Sequence, residues 1–394
     1  MGRWANKYVI GLTGNIATGK SVVRQMLQHL GAYTLDADGL VHQAMQPGAP
    51  AYKPVVEKFG MVILDEDKQI NRQMLASIVF SNSSALKQLE DITHPIVRQA
   101  IHALVSRARQ RVVVIEAIKL VEGDLASDVD AIWVVDSSPT TQLARLTSKR
   151  KMSDAEAHRR MSVQNPQSDK LAKAHVVIRN DGLVEDTWKQ VQNGWEDVKK
   201  EVTRRFQDPT TSAAPAPIAD APVGKVAPSG DITVIRGMPK NAEDIAKFIS
   251  AQSGKSVSRM DIMMSFGQKS YLIAQDKAKS VVGVLGWQVE NLITRADECY
   301  IDLQLHKPSV VQSLVAAVEV ASEELQSEVS FIFLPANTPA DVLSAFRQFG
   351  YALLEISQIK IPAWREAVQE SLEGTNGLKI LSKQLREDRI LKPI

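Results

Sequence analysis

The stretch Gly14-Asn15-Ile16-Ala17-Thr18-Gly19-Lys20-Ser21 has the spacing GxxxxGK[ST] of a phosphate-binding loop. Tyr8-Val9-Ile10-Gly11-Leu12 before it reads as a short buried strand, and Val22, Val23, Met26, Leu27 and Leu30 after it recur at helical spacing. Strand, loop and helix thus come in the order such a loop requires, which an ordinary Gly-rich turn would not need. The glycines let successive backbone N–H groups turn toward a triphosphate, Lys20 reaches its terminal phosphates, and the Ser21 hydroxyl is placed to ligate Mg²⁺. The helix N-terminus adds partial positive charge. Gly14, Asn15, Ile16, Ala17, Thr18, Gly19, Lys20, Ser21 and Val22 are therefore the expected nucleotide cradle.

Outward from this loop, to about residue 182, strand-like runs alternate with helical patterns: Ala32 to Leu35, Val112 to Ile115, Ala131 to Val135 and Val176 to Ile178. That alternation predicts an α/β domain, a parallel sheet with helices on both faces and ligands at the carboxyl ends of the strands. The second strand runs into Asp36-Ala37-Asp38. Two acids there can orient an attacking hydroxyl or hold Mg²⁺, or one of them can cap the following helix and leave the other free. Glu116, after the third strand, is open to either of two readings, a magnesium-site carboxylate or a solvent-facing residue. His94-Pro95 reads as a helix start with His94 as a polar cap.

Between residues 145 and 173 stand Arg145, Lys149, Arg150, Lys151, Arg159, Arg160, Lys170 and Lys173, against only Asp154, Glu156 and Asp169. Such a run is either a solvated helix face or, opposite a phosphate loop, a lid whose arginines neutralise charge on a transferred phosphoryl group.

The chain has 394 residues, which suggests two or three domains. Its 44% hydrophobic and 23% charged content is that of a soluble globular protein. No apolar run approaches bilayer-spanning length and none resembles a signal-peptide core, so the expected location is cytoplasmic, with no membrane partner. Cys299 stands alone, which excludes an internal disulfide and a cysteine zinc cluster. A net charge of +2 gives no global drive toward nucleic acid. Residues 208 to 230, rich in proline and alanine and without aromatics, read as a semi-extended linker, so the expected division is a domain over 1–207, the linker, and a mixed α+β domain over 231–394. The second domain's expected strands are Ile232 to Ile235, Tyr271 to Gln275, Val281 to Glu290, Cys299 to Leu305, Val329 to Leu334 and a last one near Leu353 to Ile361. Its expected helices are Ala242 to Gln252, Val310 to Leu325 and Ala340 to Phe349.

Taken together, the loop, Asp36-Ala37-Asp38, Pro47-Gly48-Ala49-Pro50, His94-Pro95, Arg150, the Arg160, Gln164 and Lys170 series, and Val177-Ile178 with Asn180 and Gly182 resemble dephospho-CoA kinases over the first ~200 residues. The resemblance implies a P-loop kinase domain with a helical lid, with ATP and Mg²⁺ as cofactors and dephospho-CoA as the substrate phosphorylated on its ribose 3'-hydroxyl. It implies Asp38 as the base and Arg150 as the lid arginine. With Lys20 these form the expected catalytic set, Ser21 being the magnesium ligand. Asp36, Asp38, His94, Glu122 and Arg160 are the expected acceptor-side residues. Three departures stand out: Ile118-Lys119-Leu120-Val121-Glu122 replaces a Pro-Leu-Leu-aromatic-Glu run, Lys151 follows Arg150, and Ala174-His175 stands for Ala-Asp. The alternatives are a P-loop nucleotide-binding regulator and a kinase of another nucleoside or small alcohol.

The second domain's element order is similar to that of the N-acetyltransferase superfamily. That family cradles acetyl-CoA pyrophosphate on a glycine-containing turn, but here the place reads His306-Lys307-Pro308-Ser309, and no glycine lies between Gly286 and Gly350. The expectation is an acetyltransferase-like fold without catalysis, which binds a protein partner, a pantetheine-containing ligand, or nothing.

Overall fold

The computed structural model describes residues 2–206, 232–302, 307–373 and 377–391. The expected linker lies outside them, as does His306 of the turn considered above. Two sheets organise the described chain. The first holds β1 (Tyr8–Thr13), β2 (Tyr33–Asp36), β3 (Val112–Glu116), β4 (Ala131–Asp136) and β5 (Val176–Arg179) in the order β2-β3-β1-β4-β5. Every neighbouring pair is parallel, as the alternation of strands and helices predicts. Around the sheet run α1 (Lys20–His29), α2 (Ala37–Ala44), α3 (Tyr52–Phe59), α4 (Arg72–Ser81), α5 (Ser83–Arg107), α6 (Leu125–Asp128), α7 (Pro139–Ser148), α8 (Asp154–Ser162), α9 (Gln167–Leu171) and α10 (Val184–Phe206).

One face of the sheet is covered by α1 and α10. Val23, Met26, Leu27 and Leu30 of α1 meet Trp188, Val191, Trp195, Val198 and Val202 of α10 over Trp133 of β4. Both helices carry their apolar residues at three- and four-residue intervals, which makes the stripe each must bury. A Cβ on residue 194 would come within 2.6 Å of the Trp133 ring, so Gly194 lets α10 lie close.

The second sheet has the order β11-β12-β10-β9-β8-β7-β6. Its members are β6 (Thr233–Arg236), β7 (Ser270–Gln275), β8 (Val281–Glu290), β9 (Ile293–Ile301), β10 (Val329–Pro335), β11 (Ala352–Leu353) and β12 (Leu378–Gln384). All pairs are antiparallel except β9 with β10. The helices are α11 (Ala242–Ser253), α12 (Arg259–Ser265), α13 (Lys307–Glu324), α14 (Ala340–Gln348) and α15 (Pro362–Leu372). This is the mixed α+β architecture expected.

Three readings need correction. His94-Pro95 does not open a helix, because α5 starts eleven residues earlier, where the Asn82 side chain accepts from the Ser84 and Ala85 amides. Pro95 sits inside the helix on its exposed side, where water can reach the carbonyl of Asp91 left without its helical donor. Of the strand expected over Cys299 to Leu305, Cys299 to Ile301 is the tail of one long strand, β9, that begins at Ile293, and residues 303–305 lie outside the described residues. The run Leu353 to Ile361 is mostly not strand: two residues of β11 lead into a 3-10 turn at Ile356–Gln358, and α15 and β12 follow.

The core on the second face of the first sheet continues without a break into the second domain, from Tyr33, Leu35 and Leu104 to Leu292, Ala321 and Leu325. Polar contacts cross with it. Gln25 donates to the Ser270 hydroxyl at 3.1 Å, and Gln326 donates to the Leu104 carbonyl at 2.8 Å, all buried. His29 Nε2 lies 3.0 Å from the Phe266 carbonyl, with its ring edge-on to Phe266. His42 lies 3.0 Å from Glu366.

Burial holds both of these rings neutral, pushing the His29 and His42 pKa values from 6.5 down to about 4. Between those values the unfolded chain binds protons that the folded one refuses, so stability is full near pH 7 and is lost as pH falls through 6.5 toward 4. For His29 the loss reaches on the order of 2–3 kcal/mol. Calorimetry at pH 7 and pH 5 should show His29→Gln, which keeps a donor for Phe266 but cannot titrate, losing less Tm than the wild type. An equal drop in both proteins would deny His29 this role.

Candidate active site

Strand register builds the site. Leu12 and Asp36 both lie opposite Glu116 in their neighbouring pairs, so the chain leaves β1, β2 and β3 at one carboxyl edge. The loop of residues 14–19 bends there through left-handed conformations at Gly14 (φ 148°), Ala17 (φ 59°) and Gly19 (φ 97°). A Cβ on residue 19 would fall 2.0 Å from Asn180 Nδ2, so glycine is required for space as well as for torsion.

The Thr18 carbonyl accepts from Asn180 Nδ2 at 2.8 Å, the Ser137 hydroxyl at 3.1 Å and the Arg145 guanidinium at 3.1 Å. Arg145 also donates to the carbonyls of Ala17 and Asn180. With its carbonyls held from below, the loop turns its amides toward the cleft. Lys20 is buried behind it, donating to the Asn15 carbonyl at 3.2 Å. Its pKa is lowered chiefly by burial, against the attraction of Glu116, Asp38 and Asp36 and with added repulsion from Arg150. Ser21 is exposed in the first turn of α1, whose amides have no helical partners.

The two aspartates divide their roles. Asp36 caps α2, accepting from the Gly39 amide at 3.0 Å. Asp38 is open to solvent on one side but recessed in the cleft, and it accepts from the Ile118 amide at 3.0 Å. Desolvation and the neighbouring Asp36 carboxylate raise its pKa above the ordinary 3.8, against the pull of that amide, Lys20 and Lys119. The departure at Ile118-Lys119 therefore leaves the main-chain contact to Asp38 in place. Lys119 itself pairs with Glu90 at 2.8 Å.

Glu116 is buried and bound by the Arg24 guanidinium at 2.7 Å. Burial alone would lower the Arg24 pKa, but the carboxylates of Glu116, Asp36 and Glu290 outweigh it and raise it. Glu116 is therefore neither solvent-facing nor free, and it carries its charge within electrostatic reach of Lys20. The sequence reading did not single out Arg24, which lies inside an apolar stripe.

The basic segment divides in the same way. Arg145, Lys170 and Lys173 turn inward, with Lys170 almost fully buried against Glu122 at 2.6 Å and Lys173 donating to the Val121 carbonyl. Glu122 thus anchors the lid helix α9. Arg150 is exposed at the end of α7, near enough to act on Lys20. Arg160, on α8, pairs with Glu156 one turn away. His94 is exposed on α5. Two lid glutamines lie over the loop: Gln164 accepts from the Ile16 amide at 2.8 Å and Gln167 from the Asn15 amide at 3.0 Å. Gln167 went unnoticed in the sequence. His175, the departure after Ala174, accepts from the Ile132 amide through Nδ1 at 3.0 Å and so ties the lid's exit to β4.

The family model described as dephospho-CoA kinase matches residues 8–186. A dephospho-CoA kinase from Geobacter sulfurreducens is 40% identical over 190 residues, 48% of this chain and 96% of that protein. The chain belongs to the dephospho-CoA kinase family. A relative of the same name from Geobacter metallireducens is 42% identical over 192 residues, covering 96% of its length. Among solved structures, a GNAT superfamily phosphinothricin acetyltransferase from Sinorhizobium meliloti aligns with 12% identity and a TM-score of 0.32, covering 42% of this chain and 94% of that one. The family match spans the first half of the chain.

The Arg24–Glu116 pair carries its own prediction. Arg24→Met leaves a buried carboxylate without a partner and should cost about 3–5 kcal/mol in urea unfolding, most of it recovered in Arg24→Met/Glu116→Leu. A single-variant loss below about 1 kcal/mol would show that the pair is not a structural support.

Proposed function

We propose that this chain transfers the terminal phosphoryl group of ATP to the ribose 3'-hydroxyl of dephospho-CoA, giving CoA and ADP, the last step of coenzyme A biosynthesis. The observation that supports the reading is that Asp38 attracts, and Arg150 repels, the charge of Lys20 beside the phosphate loop, in a chain of this family. The acceptor oxygen attacks the terminal phosphorus, the bond from that phosphorus to the ADP oxygen breaks, and Asp38 takes the hydroxyl proton. A carboxyl with a raised pKa is the better base. Lys20 and the loop amides bear the negative charge of the phosphates, and Arg150 approaches from the lid. For phosphate oxygens to take the Ile16 and Asn15 amides, Gln164 and Gln167 must give them up.

The site suits Mg²⁺ held mainly by the nucleotide, with the exposed Ser21 hydroxyl as the protein ligand, since Glu116 is bound to Arg24 and Asp36 caps α2. The ion would supply charge neutralisation of the phosphates. Among the described residues no group of three acidic, histidine or cysteine side chains forms a metal cluster. Asp36, His94, Glu122 and Arg160 remain acceptor-side candidates in this reading, Glu122 through the lid helix it anchors.

The reading divides the chain into a kinase domain over 1–207, a linker over 208–230 and a non-catalytic acetyltransferase-like domain over 231–394. The absence of glycine between Gly286 and Gly350 supports the last of these. In this reading the reaction takes place in the cytoplasm. Among the described residues no helix is long and apolar enough to cross a membrane, and the net charge is +2.

Mass-spectrometric detection of CoA from dephospho-CoA and MgATP tests the proposal. Lys20→Ala should lose ATP binding and turnover together. Asp38→Asn should keep ATP binding and lose turnover by about 10²- to 10⁴-fold. In the wild type the acid limb of kcat/KM should fall at a pH above the ordinary carboxylate value, because Asp38 must be unprotonated to act. Full turnover in Asp38→Asn would remove it from the mechanism, and no CoA from the wild type would overturn the function.

A further inference from the structure

The helix that presents Asp38 is held by the second domain at both of its ends. At the N-terminal end, the two-residue turn between β8 and β9 rests on Gly39. A Cβ there would lie 2.2 Å from Asn291 Oδ1 and 3.1 Å from Asp36 Oδ2. The Asn291 oxygen is buried there without a partner, and its backbone carbonyl accepts from Gln43, one turn further along α2. At the C-terminal end, Glu366 of α15 meets His42 at 3.0 Å and Gln46 at 3.2 Å, and its second oxygen takes Arg72 of α4 at 2.6 Å.

These two contacts belong to one stiff piece. Arg295 on β9 joins them, pairing with Glu290 beside the turn at 2.5 Å and with Glu370 and the Ala367 carbonyl on α15 at 3.1 and 3.3 Å. The turn is also held in an unfavourable shape. Asn291 (φ 52°) and Leu292 (φ 63°) are both left-handed. Asn tolerates this, whereas Leu is disfavoured by about 1–2 kcal/mol. Leu292 keeps the shape because it is buried in the core that both domains share and its carbonyl accepts from the Glu328 amide at 2.7 Å.

We propose that the second domain is a positioning element of the phosphoryl-transfer site, in which the Asn291–Leu292 turn and Glu366 clamp α2 at its two ends and set the placement of Asp38. The inference rests on the kinase reading above. Neither Asn291 nor Glu366 is assigned contact with substrate; both act through α2. A carboxylate displaced by a fraction of an ångström from the hydroxyl it serves slows the chemical step and leaves the phosphate loop untouched, so the clamp should be read in kcat and not in ATP binding.

The test uses the full-length protein with dephospho-CoA and MgATP. Asn291→Gly keeps a left-handed turn and removes the amide from Gly39, and Glu366→Ala removes the second contact. In the double variant kcat should fall about 10- to 100-fold, with ATP affinity by titration within about twofold of wild type. Glu366→Gln, which keeps hydrogen bonds to His42 and Gln46, should restore a large part of the loss due to Glu366→Ala. If the double variant is poorly folded by calorimetry, Glu366→Ala against Glu366→Gln decides. Wild-type CoA formation with unchanged kcat in folded variants overturns the clamp alone. Equal losses of kcat and ATP affinity also overturn it, because a general loosening of the fold would do that. No CoA from the wild type overturns the kinase reading and the clamp with it.

Discussion

The carbonyl of Thr18 holds the site together. A phosphate loop can offer its amides to an anion only if its carbonyls point away, and those carbonyls then need donors on the far side. Here Asn180, Ser137 and Arg145 supply them, from the ends of β5 and β4 and from α7. Their positions depend on the order β1-β4-β5 in the sheet, so the loop's shape is a property of the whole first domain. Ser137 and Asn180 are also bonded to each other through the Asn180 carbonyl at 2.9 Å. The bonds made by Ser137 and Asn180 are buried, the condition under which polar groups specify one conformation, and Arg145 closes the network from a half-buried position.

What the sequence made legible were features whose geometry is local. The phosphate loop, the strand before it and the helix after it are set by residues within a few positions, and the parallel sheet follows from repetition of that unit. Local chemistry also allowed that one of the two aspartates would cap α2, but which one it is depends on the turn made by Gly39. Arg24 gave no signal. It is polar, at a helix position beside apolar ones, and its partner lies 92 residues away. His94-Pro95 misled because proline suits a first helical turn, while the true start was set by Asn82, an equally good cap with a less visible signature. The turn at Asn291-Leu292 was hidden for a related reason. Asn followed by Gly is the usual signal of a tight hairpin, and Leu in the second place conceals it.

Charge in the lid was legible only as a sum. Arg145, Lys170 and Lys173 look no different in sequence from Lys149, Arg150 and Arg159, yet the first three face inward onto carbonyls and a carboxylate while the others are exposed. Exposure follows from where α7 and α9 lie on the sheet. A basic run therefore marked the lid without separating its supports from the groups free to meet a phosphate.

The interface between the domains combines features that usually belong to a single folded unit: a continuous apolar core, buried side-chain hydrogen bonds and histidines kept neutral by burial. Surfaces that merely touch across a linker are more polar and wetter. Family members that match this chain over nearly their whole length end near the close of the first domain, so they have no counterpart of this interface within the matched region. In this chain Tyr33 on β2 and Leu104 on α5 lie in a core that continues into the second domain, and Asp38 stands on a helix that this domain touches at two points. The two-residue turn that joins β8 to β9 needs left-handed backbone at both positions, and Leu292 fills the second against its preference. Strain of that kind persists when neighbouring structure determines it, here the core both domains share and the Glu328 amide, which together fix the turn that rests on the helix carrying the base.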